Sequence, residues 1–263
     1  MGILNVTPDS FADGGCYLEP ARAAEHAIEM AEAGATLIDI GGESTRPGAL
    51  EVAAQEELRR VLPVLKALRA RLKCPLSVDT RKASVAEAAL GEGASLINDV
   101  SGLQFDPAMA ATVARFKAGL VIMHMRGTPA TMARMARYRD VVTEVKSSLS
   151  RQAALALDAG VARSRIIIDP GIGFAKKPSH NIRLLAALAM LAELGYPVMV
   201  GVSRKSFVRA ISGGQDEELV LGTAAAVAVA VFNRAAIVRV HDVGAMVPVV
   251  KMAAALADGR ARR

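Results

Sequence analysis

The stretch Ser84-Val-Ala-Glu-Ala-Ala-Leu-Gly-Glu-Gly-Ala-Ser-Leu-Ile-Asn98 holds the repeating unit of the whole chain. Ser84 to Gly91 is Ala-rich with helical spacing, and Gly93 stands where a left-handed residue closes the last turn of a helix. Ser95 to Ile97 is too short for a helix and reads as a buried strand, with Asn98 directly after it. An unpartnered amide inside a strand costs about 1–3 kcal/mol, so a polar residue just past the apolar run points to a face where several strands converge.

The unit recurs in both directions. Strands are predicted at Gly2 to Val6, Thr36 to Ile40, Leu76 to Val78, Ser95 to Ile97, Leu120 to Met123, Arg165 to Ile168, Val198 to Val200 and Ala236 to Val240. Helical spacing fills the gaps: Ala21 to Ala33, Ala53 to Arg71, Ser84 to Gly91, Pro107 to Phe116, Asp140 to Asp158, Asn181 to Leu194, Glu217 to Asn233 and Met246 to Ala257. Ala33-Gly34-Ala35 repeats the glycine stop. The strands lack the alternation of a sheet with one wet face, as parallel strands covered on both sides do. Eight such units in 263 residues match a single (β/α)8 TIM barrel spanning 1–263, whose usual size is roughly 250 residues. A doubly wound open sheet ranks second, because no GxGxxG turn opens the first helix.

The longest irregular stretches follow strands: Thr7 to Tyr17, Gly41 to Leu50 and Met125 to Arg139. Loops at the C-terminal ends of strands form the active face of this architecture, and Asn5, Asp39, Asp79, Asn98, His124, Asp169, Ser203 and His241 all fall there.

Composition narrows the function. Hydrophobic residues make up 52% of the chain and aromatics 3%, with no Trp, so the core is aliphatic and base-stacking platforms are scarce. Net charge is +6 with scattered basic residues, which favours a small anionic substrate over nucleic acid. Apolar runs fall far short of the roughly 20 residues of a membrane span, and Met1 to Val6 has no signal-peptide pattern, so a cytoplasmic location is expected. Cys16 and Cys74 are isolated, which predicts two free thiols.

Eight segments together carry a resemblance. They are Gly2-Ile-Leu-Asn-Val-Thr-Pro-Asp-Ser-Phe11, Ile38-Asp-Ile-Gly-Gly-Glu-Ser-Thr-Arg-Pro-Gly48, Ser77-Val-Asp-Thr80, Ile97-Asn-Asp-Val-Ser-Gly102, Met123-His-Met-Arg-Gly127, Ile168-Asp-Pro-Gly-Ile-Gly-Phe174, Ser203-Arg-Lys-Ser-Phe207 and Val238-Arg-Val-His241. In this order they resemble the dihydropteroate synthases, a pterin-binding (β/α)8 family. The resemblance implies that 4-aminobenzoate displaces pyrophosphate from a dihydropterin hydroxymethyl pyrophosphate, in folate synthesis, and that the protein is a homodimer and a sulfonamide target.

It also implies a site. Asp79, Asn98, Met123, Asp169, Lys205 and Arg239 would bind the pterin, whose edge pairs an amide-like N–H with an amine that the Asp169 carboxylate accepts with two bonds. Asn5, Thr45, Arg46, Arg239 and His241 would bind the pyrophosphate, with Asn5 also contacting Mg²⁺. Arg46, Pro47, Phe174, Ser203 and Lys205 would face the aminobenzoate. Lys205, Arg239, His241 and Asp79 form the catalytic set, because a dissociative loss of pyrophosphate needs charge stabilisation more than a nucleophile. Thr7 to Gly15 and Ser44 to Gly48 would close over the substrates to exclude water.

Plainer roles are expected elsewhere. Asp39 and Asp99 read as structural groups bonding loop backbone, His124 as a rim or packing histidine, and His26 and His180 as surface or helix-start residues. The Met-rich run from Met125 to Met135 reads as a loop or helix surface. Two other functions share the pattern: a pterin-family methyltransferase passing a methyl group to a corrinoid protein, and a pterin-binding paralogue without turnover.

Overall fold

The structure is a computed structural model that describes residues 1–7, 20–46 and 48–261. Eight strands run parallel in the order of the chain: β1 Gly2–Asn5, β2 Ile38–Gly41, β3 Leu76–Asp79, β4 Leu96–Asp99, β5 Gly119–Met123, β6 Ile166–Asp169, β7 Val198–Gly201 and β8 Ala235–Arg239. The ring closes where Gly2 bridges Val240, with Ile3 N–H donating to the Val240 carbonyl at 3.0 Å and Val240 N–H to the Met1 carbonyl at 3.0 Å. The open-sheet alternative is therefore excluded.

Helices cover the outside: α1 Pro20–Glu32, α2 Ala54–Arg69, α3 Ala83–Gly91, α4 Met109–Arg115, α5 Val141–Asp158, α6 Pro178–Ala186, α7 Leu188–Ala192, α8 Ser206–Ser212, α9 Asp216–Phe232 and α10 Val243–Ala261. Two departures from expectation stand out. The helix expected over Asn181 to Leu194 is broken at Ala187, and α8 lies in a stretch where no helix was expected. Gly34 and Gly93 both have φ near +104, so the two predicted helix stops use the left-handed residue they require.

Side chains alternate across each strand, and the two faces differ in kind. The outward residues Leu4, Ile38, Ile40, Val78, Ile97, Leu120, Ile122, Ile168, Val198 and Val200 join one large core with the helices. Inward, a smaller cluster of Met1, Leu96, Val121 and Met199, with Leu37, Ile167 and Ile237 against it, fills the bottom of the barrel. The continuous apolar reading of the strands thus holds for the outer face and the lower interior. One step further along most strands, on the same inward side, the residues become polar, with Met123 on β5 and Gly201 on β7 the exceptions.

Candidate active site

The inward positions two residues beyond the apolar floor are Asp39 after Leu37, Asn98 after Leu96, Met123 after Val121, Asp169 after Ile167 and Arg239 after Ile237. Asn5 and Asp79 have the same parity on β1 and β3. The period of two that buries an apolar layer below therefore aims these side chains into the barrel mouth above it. All but Asp39, which lies one level deeper in β2, fall within the last two residues of their strands, so the sheet itself fixes their spacing.

Arg239 organises one half of the mouth. Its Nε donates to Asp39 Oδ2 at 2.6 Å and its Nη2 to Asp79 Oδ2 at 3.0 Å, while Asn98 Nδ2 donates to the same Asp39 oxygen at 2.9 Å. Asp39 is 0% exposed. It is expected to bond loop backbone; instead it anchors the side chains of Arg239 and Asn98, because it lies inside the barrel below the loops. Asp99 does bond loop backbone as expected, accepting from Ser101 N–H and Leu103 N–H at 2.8 and 2.7 Å. Burial pushes the Asp79 carboxyl up to about 8 against the pull of Arg239. Burial works the other way on Arg239, but Asp39 and Asp79 keep its guanidinium firmly charged. Asp39 Oδ1 and Asn98 Oδ1 are buried acceptors with no hydrogen-bond partner among the described residues. An amine or N–H edge entering the mouth would meet that unmet demand.

The opposite half is built by β5, β6 and β7. Asp169 Oδ1 accepts from Gly171 N–H at 2.7 Å, and its pKa is raised by burial, with that bond and then Lys205 pulling it back. Gly171 has φ +67, and a Cβ there would collide with the His124 carbonyl oxygen, so the turn after β6 accepts only glycine. That turn brings Phe174 round to face Lys205, whose ammonium lies 4.4 Å from the ring centroid. Lys205 also donates to the Ile172 carbonyl. Its pKa is lowered to about 8, first by burial, with Asp169 opposing. Met123 packs with Val100, Met125, Met132 and Ala175 beside Phe174. Met125 and Met132 are thus buried supports under the aromatic ring, where a surface role had been expected; only Met135 of the three is exposed.

His124 is a buried packing histidine, as expected. Lys176 Nζ lies 3.0 Å from its Nδ1 and donates to the Phe174 carbonyl at 2.9 Å, so Lys176 fastens the turn carrying Phe174 to the end of β5. His180 Nδ1 accepts from Lys177 N–H at 3.2 Å at the start of α6, and His26 lies on the exposed face of α1. Both have the plain roles expected of them.

On the third side, His241 lies 3.0 Å from Ser203 Oγ through Nδ1, and its backbone N–H donates to the same hydroxyl at 3.2 Å. Burial, followed by the positive charge of Arg239, lowers its pKa to about 4, so it offers a neutral imidazole at neutral pH. A cavity of about 560 Å³ lined by Asn5 and His241, with Arg22, Glu25, His26 and Glu29 of α1, opens beside them. Arg46 is exposed and near enough to act electrostatically on His241, and Thr45 is half-buried in the same loop. Pro47, Cys16, most of the Thr7 to Gly15 loop and the last two residues of the basic tail lie outside the described residues; Cys74 is a free thiol.

The donor set sets a limit on metal binding. Among the described residues no group of three or more His, Cys, Asp or Glu side chains is arranged to hold an ion. Asn5 offers one neutral amide oxygen at the edge of a cavity shared with His241. That suits Mg²⁺, which takes most of its ligands from phosphate oxygens and water, and does not suit an ion caged by protein alone.

Residues 1–241 match the family described as pterin binding enzyme. The chain belongs to this family. Within it, the chain is 48% identical over 257 residues to the dihydropteroate synthase of Synechocystis sp., covering 97% of this chain and 89% of that one. A Yersinia pestis dihydropteroate synthase solved with a sulfonamide drug complex superposes with a TM-score of 0.92 at 44% identity, covering 98% of this chain and 93% of that one. A Xanthomonas albilineans dihydropteroate synthase in complex with 7,8-dihydropteroate gives 0.87 at 42%, covering 97% and 92%.

Of the residues expected to act together, the structure gathers Asp79, Asn98, Met123, Asp169, Lys205, Arg239, Ser203, His241 and Phe174 around one mouth. Asn5 lies on the same rim, and Thr45 and Arg46 are on a loop above it. Sequence reading missed the anchoring role of Asp39, the fastening role of Lys176 and a buried ion cluster of Glu43, Glu57, Arg81 and Lys82. Asp39 shares only inward parity with Asp79, since it pairs with Ser77 one level below.

Proposed function

We propose that this pterin-binding enzyme condenses 6-hydroxymethyl-7,8-dihydropterin pyrophosphate with 4-aminobenzoate to give 7,8-dihydropteroate and pyrophosphate. The observation that carries the reading is the inward ring of Asp79, Asn98 and Asp169 facing Lys205 and Arg239. Flat heterocycles with donor and acceptor edges are recognised by such a ring, and an analogue lacking those edges leaves buried groups unpaired. Asp169 accepts from the pterin's amide-like N–H and exocyclic amine, Asp79 and Asn98 bond the remaining nitrogens, and Lys205 donates to the ring carbonyl. Met123 supplies an apolar contact to the ring.

Arg239, His241, Thr45, Arg46 and Asn5 surround the pyrophosphate, and Arg239 and His241 stabilise the charge that develops as the carbon–oxygen bond breaks. Asn5 would hold Mg²⁺, which when bound would add to that charge stabilisation. The bond breaks by dissociation, leaving a methylene cation conjugated with the pterin ring; the amine of 4-aminobenzoate attacks it and, as the carbon–nitrogen bond forms, gives up a proton to solvent. Phe174, Pro47, Ser203, Arg46 and Lys205 form the aminobenzoate side. Sulfonamides occupy that side in competition with 4-aminobenzoate, in keeping with the drug complex of the Yersinia relative.

The relatives favour this synthase over a corrinoid methyltransferase or a silent paralogue. No helix among the described residues is long and apolar enough to cross a membrane, and a cytoplasmic location is proposed with it. A homodimer is proposed through α9 and α10. Leu221 and Val229 on the first, and Met252 and Leu256 on the second, form an exposed apolar stripe on adjacent helices, and light scattering would read the mass. The deciding experiment incubates the protein with the pterin pyrophosphate and labelled 4-aminobenzoate, with and without chelator. Labelled dihydropteroate that disappears with chelator and returns with magnesium is expected. Absence of product under all conditions refutes the activity, and product indifferent to chelator and magnesium refutes the metal.

A further inference from the structure

The loop after β2 carries Thr45 and Arg46 without a strand to hold them, and its base contains a buried ion cluster whose side chains bond to one another and to loop backbone, and which meets the substrate ring only through the charge of Glu57 acting on Asp79. Glu43 lies two residues before Thr45, with a side chain only 8% exposed. Its Oε1 accepts from Arg81 Nη2 at 3.0 Å and from the backbone N–H of Val52 at 3.2 Å, and its Oε2 accepts from Lys82 Nζ at 2.5 Å. Val52 is where the loop returns toward α2. One carboxylate therefore ties the first residues of the loop to its last, and both to the turn that follows Asp79.

The cluster extends further. Lys82 also donates to Glu57 Oε2 at 2.6 Å, Arg81 reaches Glu51 at 3.4 Å, and its guanidinium lies 4.0 Å from the Phe105 ring centroid in the loop after β4. Arg60 Nη1 donates to the Gly42 carbonyl at 2.9 Å, just before Glu43. On the far side, Gly48, at φ +82, donates its N–H to the Pro129 carbonyl at 3.1 Å. Thr45 and Arg46 thus sit on a short arch between two anchors. Buried charges in balanced sets add little net stability over apolar packing; what directed bonds supply is a defined geometry. Lys82 and Arg81 hold the Glu43 carboxylate ionised in spite of its burial.

We propose that Glu43 is a positioning residue for the transfer reaction, fixing through Arg81 and Lys82 where Thr45 and Arg46 meet the pyrophosphate. The proposal rests on the reading of Thr45 and Arg46 as pyrophosphate contacts. Its test compares Glu43→Gln, Glu43→Asp and Arg46→Ala in the full chain. The readouts are kcat, KM for both substrates, and calorimetric affinity for 6-hydroxymethylpterin and, separately, for inorganic pyrophosphate. Glu43→Gln should lower kcat and pyrophosphate affinity by about 10-fold or more, since a small misplacement of a charged group is costly in rate. Pterin affinity should stay within about twofold, because the cluster charge that acts on Asp79 is that of Glu57 and not of Glu43. Glu43→Asp, which keeps the charge with a shorter reach, should recover part of the loss.

A Glu43→Gln protein with a lowered Tm but wild-type kcat and pyrophosphate affinity overturns the proposal, as does an equal loss of pterin and pyrophosphate affinity. If Glu43→Gln does not fold, Glu43→Asp decides by the same two readouts. Arg46→Ala separates the two levels: unchanged pyrophosphate affinity in that variant removes the loop from the site, whereas a loss there without a loss in Glu43→Gln removes Glu43 alone.

Discussion

Asp169 and Lys205 share one side of the mouth, Asp169 buried and Lys205 half-buried, each with its charge under pressure, so the proposed pterin edge would relieve both. Asp169→Ala should weaken pterin binding by about 2–4 kcal/mol, because two ligand donors lose a buried carboxylate partner. Calorimetry with 6-hydroxymethylpterin checks it, and unchanged affinity would take Asp169 out of the site. Lys205 makes a prediction about pH. Its folded-state pKa, lowered to about 8 by burial, leaves it charged below pH 8 and neutral above. Pterin affinity should therefore fall as pH rises past about 8, where the ring carbonyl loses its charged donor. Stability moves oppositely: a lysine with a lowered folded-state pKa contributes stability that is present above its unfolded value and lost as pH falls through about 8. Asp79 titrates in the same window, so Lys205→Met should reduce both slopes to the part that Asp79 carries, and slopes of undiminished size would take Lys205 out of the effect.

Among the elements, the turn after β6 shows how local backbone chemistry sets a binding wall. Gly171 at φ +67 lets the chain pass against the His124 carbonyl, and Lys176 then fastens Phe174 in place. Gly171→Ala should raise KM for 4-aminobenzoate and lower Tm by several degrees, since a side chain at this φ costs about 1–2 kcal/mol even before the collision. A variant with wild-type KM would separate Phe174 from aminobenzoate binding. The eight strands were legible in sequence because each apolar run was short and bounded, and the site was legible because Asp79, Asn98 and Asp169 ended those runs. Asp39 was not, since an acidic residue between two isoleucines looks the same whether it faces a loop or the barrel axis. The Glu43 cluster was hidden for another reason: its members are distant in sequence, and charged residues near loops are ordinarily solvated. Helix α8 escaped because Ser206 to Ser212 makes fewer than two full turns and carries little periodic signal.

For the molecule as a whole, Arg239 does two jobs at once. It belongs to the proposed pyrophosphate set, and it supplies the counter-charge for two buried carboxylates on β2 and β3. Arg239→Ala should slow turnover by roughly 100-fold or more through lost charge stabilisation. It should also destabilise the protein by about 3–5 kcal/mol, because Asp39 and Asp79 are left buried without a cation. Steady-state kinetics and chemical denaturation read the two effects separately, and a variant at wild-type rate would remove Arg239 from the displacement step.

The dependence of Asp39 and Asp79 on residue 239 has a temporal side. During translation the second and third strands leave the ribosome long before the eighth, so a nascent half-barrel has no cation with which to neutralise them. Until the final strand arrives those acids stay hydrated or protonated, so only the complete ring buries both beside a guanidinium.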